Sequence, residues 1–237
     1  MTREKTKIFA IVGAMEQEVE YVSEYLKSLS GWMTFDREEK DKEQVFIHYG
    51  QRIQLVTKVL GVGKVNAAFR TADLIHDYSP DLIINVGYAG GLADRAVKGD
   101  VAIGTTYVQA DFLPLLEANR PVIAGSPQDV VSTVEHIARS ENIRTQTGTI
   151  ATGDFFLNDS GKKAQIKTEF GAVAFDMESA AIAQVATEKN VAFISIRTIS
   201  DFADEHALEH FKEPEGARIP IEQRPVALAV LTAQALA

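Results

Sequence analysis

Several carboxylates stand directly after apolar segments of the kind that form buried strands: Glu16, Glu18, Asp154, Asp176, Glu178 and Asp201. Acids near helix N-termini also stabilise the helix dipole, which is the ordinary explanation for the first two and for Glu178. Asp201 differs, because it ends an apolar segment beside Ser200. Several acids at one sheet edge, together with Arg197, indicate acid–base chemistry on a cationic transition state.

These acids depend on the segment from Ala172 to Asp201 for their positions. Both ends of the segment are short, apolar and β-branched, as in buried strands, whereas residues 179–189 are rich in alanine and favour a helix. We read the segment as a βαβ unit with two parallel strands. Parallel strands end at the same sheet edge, so Asp176 and Glu178 are predicted to lie on the same side as Asp201.

Two glycine clusters also follow predicted strands, at residues 61–63 and 87–91. Neither matches the dinucleotide fingerprint or the phosphate-binding loop with its lysine. Two interpretations of the second cluster stay open at this point. Its glycines either form tight turns or allow the backbone to approach a ligand closely.

Composition excludes several classes of function. The chain has 237 residues, 46% of them hydrophobic, which is enough for a sizeable core. A net charge of −9 opposes nucleic-acid binding, and the absence of cysteine excludes disulfides and thiolate chemistry. We find no signal sequence and no apolar run near the roughly 20 residues that span a bilayer, and therefore predict a cytoplasmic protein without membrane contact. His206 and His210 lack a third ligand, so no metal site is predicted.

Periodicity predicts a mixed sheet with helices, in one domain covering residues 1–237. Predicted strands cover 7–12, 31–35, 44–49, 53–60, 80–86, 99–108, 147–153, 172–178 and 191–201. Predicted helices cover 16–29, the segment after Gly63, 128–140, 179–189 and 226–237. The charged run 36–43 is predicted to be a hairpin tip, and 112–127 a loop.

Six short motifs follow one another along the chain. They are Val12-Gly-Ala-Met-Glu-x-Glu18, Gly61-Val-Gly-Lys-Val65-Asn-Ala-Ala68, Asn85-Val-Gly-x-Ala-Gly-Gly91, Thr152-Gly-Asp-x-Phe156, Asp176-Met-Glu178 and Arg197-x-Ile-Ser-Asp201. In this order they resemble the motifs of the 5′-methylthioadenosine/S-adenosylhomocysteine nucleosidases, within the nucleoside phosphorylase superfamily. The resemblance implies a three-layer α/β/α fold around a central mixed, twisted sheet.

The resemblance implies hydrolysis of an N-glycosidic bond, with adenine as the leaving group. Glu18 matches the acid that holds and activates water. Asp201, with Ser200 beside it, matches the acid that protonates purine N7. Arg197 matches an arginine near the water and Glu178. These carboxylates would stabilise the positive charge that develops on ribose, and a protonated Asp201 would relieve the negative charge on the base.

Substrate-binding positions are also implied. Glu178 matches the residue that binds ribose hydroxyls, and Met177 packs against the sugar. Phe156 matches the ring that stacks on the purine, and the backbone of Leu157 takes the adenine edge. Further expected binding positions are Met15, Gly87, Tyr88, Ala89 and Asp176.

The chain departs from the family pattern near the sugar. Tyr88 stands where the family usually has serine, and Asp176 where it has glutamate. The 5′ pocket is expected to involve residues 111–127 and 206–225. Its apolar candidates, which equally suit a core or a dimer surface, are Phe112, Leu113, Leu115, Leu116 and Phe211.

Three functions stay open on the sequence. The first is a nucleosidase acting on methylthioadenosine, S-adenosylhomocysteine or a relative, without metal or cofactor. The second is a purine nucleoside phosphorylase, which the acidic turn around Glu18 disfavours because phosphate would be repelled. The third is a nucleoside-binding protein whose turnover Tyr88 has abolished. The resemblance also implies a homodimer.

Overall fold

The computed structural model describes residues 6–38, 44–113, 120–207 and 219–237. Apolar and β-branched segments form a mixed β-sheet with helices on both of its faces, which confirms the predicted fold class. The strands are β1 (Lys7–Gly13), β2 (Met33–Glu38), β3 (Gln44–Gly50), β4 (Ile53–Val59), β5 (Leu82–Gly91), β6 (Val101–Gln109), β7 (Thr145–Thr152), β8 (Ala172–Asp176) and β9 (Ala192–Asp201).

The sheet runs in the order β2-β3-β4-β1-β5-β8-β7-β6-β9, and β9 also pairs with β5. The last five strands therefore close on themselves. β1 pairs in parallel with β4 and β5, and β5 pairs in parallel with β9. The carboxyl ends of β1, β5 and β9 thus meet at one edge, where ligands of open α/β sheets bind.

Helices cover the sheet because each buries an apolar stripe on it. Residues of α2, α4 and α7 join one core cluster, and residues of α3 and α6 join the cluster on the opposite face. None of the helices in the described ranges is long and apolar enough to cross a membrane. The helices are α1 (Glu16–Val19), α2 (Tyr21–Ser28), α3 (Lys64–Tyr78), α4 (Gln128–Ser140), α5 (Ser160–Phe170), α6 (Ser179–Glu188) and α7 (Arg224–Leu236).

Some predicted boundaries were wrong. The single helix predicted over 16–29 is divided at Glu20 into α1 and α2. Helix α5 was not predicted, because Ile166 is its one buried residue and the sequence shows no apolar face. Strand β5 does not end before Gly87 but continues through the glycine cluster to Gly91. The tip of the hairpin predicted at 36–43 lies partly outside the described residues.

The predicted parallel pairing of β8 with β9 was also wrong. β8 pairs with the end of β5 in the antiparallel direction, through Gly90 opposite Phe175, whereas β9 runs parallel to β5. β8 therefore leads back along β5 and brings Asp176 towards Arg197, which stands opposite Gly87. The acids still meet, but they meet because β8 returns along β5, not because two parallel strands end together.

One buried histidine makes stability depend on pH. His48 in β3 is fully buried between the hydroxyl groups of Thr34 (2.9 Å from Nδ1) and Thr57 (3.3 Å from Nε2). Burial lowers the pKa of His48 to about 4. The unfolded chain, with a histidine pKa of about 6.5, therefore binds the proton first as the pH falls. Stability from neutral His48 is complete above pH 7 and is lost progressively between pH 6.5 and 4.

We expect the wild type to lose about 3 kcal/mol of unfolding free energy through His48 between pH 7 and pH 4, since each pKa unit corresponds to about 1.4 kcal/mol. Denaturant unfolding across this range measures the loss. His48→Gln keeps a hydrogen-bonding side chain but does not titrate, so its profile should be flatter by that amount. Parallel profiles for the two proteins would contradict this assignment.

Candidate active site

A cavity of about 270 Å³ opens at the carboxyl ends of β1, β5 and β9. Its wall combines acidic side chains on one side with aromatic and aliphatic ones on the other, as expected for a small-molecule site. The lining residues are Ala14, Met15, Glu18, Val62, Tyr88, Ala89, Gly90, Phe155, Phe156, Leu157, Phe175, Asp176, Met177, Glu178, Ser200, Asp201 and Ala203.

Arg197 connects the acids behind this cavity. Its side chain is completely buried, and its guanidinium contacts Asp176 Oδ2 at 2.8 Å, Glu178 Oε2 at 3.3 Å and Glu18 Oε1 at 3.6 Å. Burial alone would lower the pKa of Arg197, but the carboxylates of Asp176, Glu178 and Glu18 raise it. Arg197 is not among the lining residues, so it orients the acids instead of reaching the cavity itself.

Glu18 is held by backbone donors. The turn from β1 into α1 directs the N–H groups of Ala14 (2.6 Å) and Met15 (3.0 Å) to Oε2, and the N–H of Tyr88 donates to Oε1 at 3.1 Å. These bonds fix the carboxylate in one orientation at the cavity. Both carboxylate oxygens of Glu18 therefore accept hydrogen bonds from the backbone of two separate strand ends.

Gly87 decides between the two interpretations of the glycine cluster. Its φ is +143°, and a Cβ at this position would stand 2.1 Å from Glu18 Oε1 and 2.4 Å from Arg197 Nη1. Close approach is therefore the reason for glycine here, although the groups that approach are the protein's own charged side chains. Any larger residue would displace the Glu18–Arg197 pair.

Glu178 directly precedes α6, and its side chain contacts the backbone before α3 as well as Arg197. The N–H of Gly63 donates to Oε1 at 3.0 Å, and Arg197 donates to Oε2. Burial raises the pKa of Glu178 to about 7, the guanidinium of Arg197 opposes that rise, and Asp176 adds to it. Glu178 consequently changes its charge near neutral pH.

Asp176 is already engaged within the protein. Thr152 Oγ1 donates to Oδ1 at 2.6 Å, Ser179 Oγ donates to Oδ2, and Arg197 pairs with Oδ2. Both of its oxygens are thus occupied, although the residue reaches the cavity wall. A direct contact between Asp176 and a substrate stays a prediction, and the geometry favours a role in holding Arg197.

Asp201 lies apart from the arginine cluster and has its own support. Ser200 Oγ donates to Oδ2 at 2.7 Å, and the N–H of Ala203 donates to Oδ1 at 2.8 Å. A Cβ on Gly90 would stand 3.1 Å from Oδ1, so glycine leaves room for this carboxyl group. Asp201 is 7% exposed, and that small exposed part faces the cavity.

Aromatic side chains from the segment after β7 form the apolar wall. Phe155 packs on Phe175 with 4.9 Å between ring centroids, and Leu157 is buried. Phe156 is 52% exposed and lines the cavity, so its ring is available to a flat ligand. Met177 lines the opposite side, next to Glu178.

Tyr88 occupies the wall near Glu18. Its side chain is half-buried, and burial raises its pKa to about 12, with a further contribution from Glu222. Tyr88 is therefore a neutral phenol that can donate a hydrogen bond at physiological pH. Its phenol ring takes up more of the space near Glu18 than a serine side chain would.

Only some of the residues expected to form the 5′ pocket lie within the described ranges. Leu115, Leu116 and Phe211 lie outside the described residues. Phe112 and Leu113 are exposed, and neither lines the cavity. Apolar side chains from other segments, including Met15 and Val62, line the cavity.

Sequence reasoning missed several lining residues, namely Ala14, Val62, Gly90, Phe155, Phe175 and Ala203. Most of them sit inside or beside the quoted motifs, so motif neighbourhood was the available signal. The structure brings the predicted residues Glu18, Asp176 and Glu178 together around Arg197, and Asp201 lines the same cavity. Within the described ranges, no group of three or more acidic or histidine side chains is arranged to hold a metal ion.

Comparison with known proteins places this arrangement in a family. Residues 8–230 match the model of the Phosphorylase superfamily. A 5′-methylthioadenosine/S-adenosylhomocysteine nucleosidase of Staphylococcus carnosus is 33% identical over 216 residues, covering 87% of this chain and 91% of that protein. The Haemophilus influenzae enzyme of the same name is 37% identical over 214 residues, covering 86% and 90%.

Solved structures show the same fold. Futalosine hydrolase of Helicobacter pylori superposes with a TM-score of 0.82 at 22% identity, covering 97% of this chain and 98% of that one. The nucleosidase of Neisseria meningitidis in complex with methylthio-immucillin-A gives 0.74 at 29% identity, covering 97% and 96%. The chain therefore belongs to the phosphorylase superfamily and, within it, to the 5′-methylthioadenosine/S-adenosylhomocysteine nucleosidase family.

Proposed function

We propose that the protein hydrolyses the N-glycosidic bond of 5′-methylthioadenosine, S-adenosylhomocysteine or a closely related adenine nucleoside and releases adenine. The observation that carries this proposal is that Glu18, Glu178 and Asp201 line one cavity with an aromatic wall, and that different hydrogen-bond donors hold each of them. Each carboxyl group has its own donors and can therefore perform its own task. The names of the relatives point to the same chemistry.

The reaction requires two proton transfers, one to the leaving base and one from the attacking water. As the C1′–N9 bond breaks, its electron pair goes to adenine, and Asp201 delivers a proton to N7. Water attacks C1′, and Glu18 accepts the proton that the water loses. Exchange with solvent then returns both acids to their starting forms. Glu178 binds the ribose hydroxyls, and its negative charge stabilises the cationic sugar.

Water suits the nucleophile position better than phosphate does. The cavity wall there contains Glu18 and Glu178, which would repel a dianion. Arg197 is buried, and three carboxylates already engage it. Among the described lining residues there is no other cation to hold a phosphate. A phosphorylase is therefore not favoured.

Direct measurement of adenine tests the proposal. The purified protein is incubated with methylthioadenosine, and separately with S-adenosylhomocysteine, in phosphate-free buffer, and adenine is quantified by chromatography. We expect release from at least one of them. Nucleoside binding in calorimetry without any release would contradict the proposal and support a binding protein.

The charge of Glu178 should appear in the pH profile. Because its pKa is raised to about 7, the carboxylate needed for the ribosyl cation forms as the pH rises through neutrality. We expect kcat/KM for methylthioadenosine to fall about tenfold for each pH unit below that value, since kcat/KM reports ionisations of the free enzyme. Glu178→Gln should be slow throughout and lack this limb. A wild-type profile that is flat from pH 5 to 8 would contradict the assignment.

A homodimer would complete the site. Val62 lines the cavity at 46% exposure, and α3 continues the same surface with Val65 (80%) and Phe69 (66%). Exposed apolar side chains in succession are typical of protein interfaces. We expect sedimentation to show a dimer in the wild type and a monomer in Phe69→Glu. Val122→Glu, at a residue 85% exposed elsewhere, is the matched control and should stay dimeric. A monomeric wild type would contradict the homodimer.

A further inference from the structure

Three charged residues that do not line the cavity form a closed ring of hydrogen bonds. Lys64 Nζ contacts Asp111 Oδ1 at 2.6 Å, and the N–H of Asp154 donates to Asp111 Oδ2 at 2.8 Å. The N–H of Lys64 then donates to Asp154 Oδ1 at 2.7 Å and closes the ring. Gln109 Oε1 accepts a further bond from Lys64 Nζ at 3.0 Å. None of these residues has a task in the proposed reaction.

The ring joins three separate segments. Lys64 is the first residue of α3, Asp111 follows the end of β6, and Asp154 lies in the segment between β7 and α5. Residues 64 and 111 are 47 positions apart, and residues 64 and 154 are 90 apart, so the contacts are of long range. Folding must bring all three segments together before the ring can form.

Two segments of the ring are also linked to the cavity. Gly63, directly before Lys64, donates its N–H to Glu178, the proposed ribose ligand. Phe156 and Leu157 follow Asp154 closely and form part of the wall proposed for adenine. The ring therefore connects the segment that holds Glu178 to the segment that carries Phe156 and Leu157.

Partial burial and charge strengthen the hydrogen bonds of the ring. The side chains of Lys64 and Asp111 are 17% and 23% exposed, so water screens their contact only partly. Burial tends to raise the pKa of Asp111, but the hydrogen bonds from Lys64 and Asp154 outweigh it and lower the pKa. Asp111 consequently stays ionised at neutral pH, and its bonds are charge-assisted, which makes them stronger than neutral ones.

We propose that Lys64, Asp111 and Asp154 form a clamp that positions the adenine-binding segment, residues 153–157, against Glu178. Lys64 and Asp111 are positioning residues, since neither lines the cavity. The proposal rests on the proposed function for the identity of the ligand. Its structural part, the ordering of residues 153–157, does not depend on that function.

The test compares Lys64→Met, Asp111→Ala and the double variant with the wild type. We expect KM for methylthioadenosine to rise about tenfold, equivalent to one charge-assisted hydrogen bond, while kcat changes by no more than about twofold. The double variant should be no worse than the worse single variant, because both substitutions open the same ring. Lys167→Met removes a different ion pair, with exposed Asp94, and should leave KM unchanged.

Amide hydrogen exchange gives a readout that does not need turnover. In Asp111→Ala without substrate, the amides of residues 154–157 should exchange at least about tenfold faster, while those of β1 and β5 keep their protection. Unchanged exchange and unchanged KM in these variants would overturn the clamp, and so would additive losses in the double variant. A wild type that released no adenine would refute the proposed function, and exchange would still decide whether the clamp orders the segment.

Discussion

Asp201→Asn should fold normally and release adenine from methylthioadenosine about 10²–10⁴-fold more slowly than the wild type, the usual contribution of a general acid. The amide can still accept the N–H of Ala203 and contact Ser200, so the local structure is retained. It cannot deliver a proton to purine N7. Steady-state kinetics should show the loss in kcat, with adenine affinity in calorimetry little changed.

A leaving group that needs no proton provides the control for Asp201→Asn. With a 5-methylthioribosyl substrate that releases 4-nitrophenolate, the variant should keep most of the wild-type rate. Glu18→Gln should lose activity on both substrates, because either reaction needs activated water. If Asp201→Asn were equally impaired on both substrates, Asp201 would not be the acid that protonates the base.

Arg197→Met should be the most destabilising single substitution in the site. The methionine fills similar space, but Glu18, Asp176 and Glu178 lose their shared cation while remaining buried. Removing one partner of a buried ion pair costs about 3–5 kcal/mol. Denaturant unfolding at pH 7 should show a loss of this size, accompanied by loss of activity.

The pH dependence of that loss identifies its cause. In the wild type Arg197 opposes the rise that burial gives the pKa of Glu178, so without Arg197 that pKa rises further and stability falls as the pH increases above the unfolded glutamate value of about 4. The deficit against the wild type should therefore be smaller at pH 5 than at pH 8. Lys167→Met, which breaks an exposed pair with Asp94, should change the stability little at either pH. A deficit for Arg197→Met that does not change with pH would contradict the electrostatic explanation.

The sequence predicted Glu18, Glu178 and Asp201 at the cavity, but only part of the reason for it. Glu18 follows β1 and Asp201 ends β9, two strands that run parallel to β5, whereas Glu178 reaches the cavity because β8 returns along β5. The motifs supplied the proposed division of tasks between them. The sequence pattern predicted where the site lies, whereas the family resemblance predicted which reaction takes place there.

The direction of β8 was not predictable in the same way. Its first four residues are apolar, and a short apolar strand has the same pattern whether its neighbours are parallel or antiparallel. Helix α5 was not predicted because its sequence has almost no apolar face. The complete burial of Arg197 also depended on three distant acids, which periodicity within β9 does not reveal.

The long-range hydrogen bonds of the clamp could not be predicted from the sequence. The lysine of the Gly61–Ala68 motif and the aspartate of the Thr152–Phe156 motif were visible as motif members. Their link through Asp111 required the fold, because the three residues are far apart in the chain. Likewise, the sequence left two interpretations of Gly87 open, tight turns and close approach. Only the structure shows that Glu18 and Arg197 occupy the space of its missing side chain.

The identity of the sugar product tests the central claim, that water and not phosphate attacks C1′. Methylthioadenosine is incubated with the wild-type protein in saturating phosphate, and the products are followed by phosphorus NMR together with adenine release. We predict free 5-methylthioribose, no phosphorus-containing sugar, and a rate equal to that in phosphate-free buffer. Formation of 5-methylthioribose 1-phosphate, or release of adenine only when phosphate is present, would contradict the account.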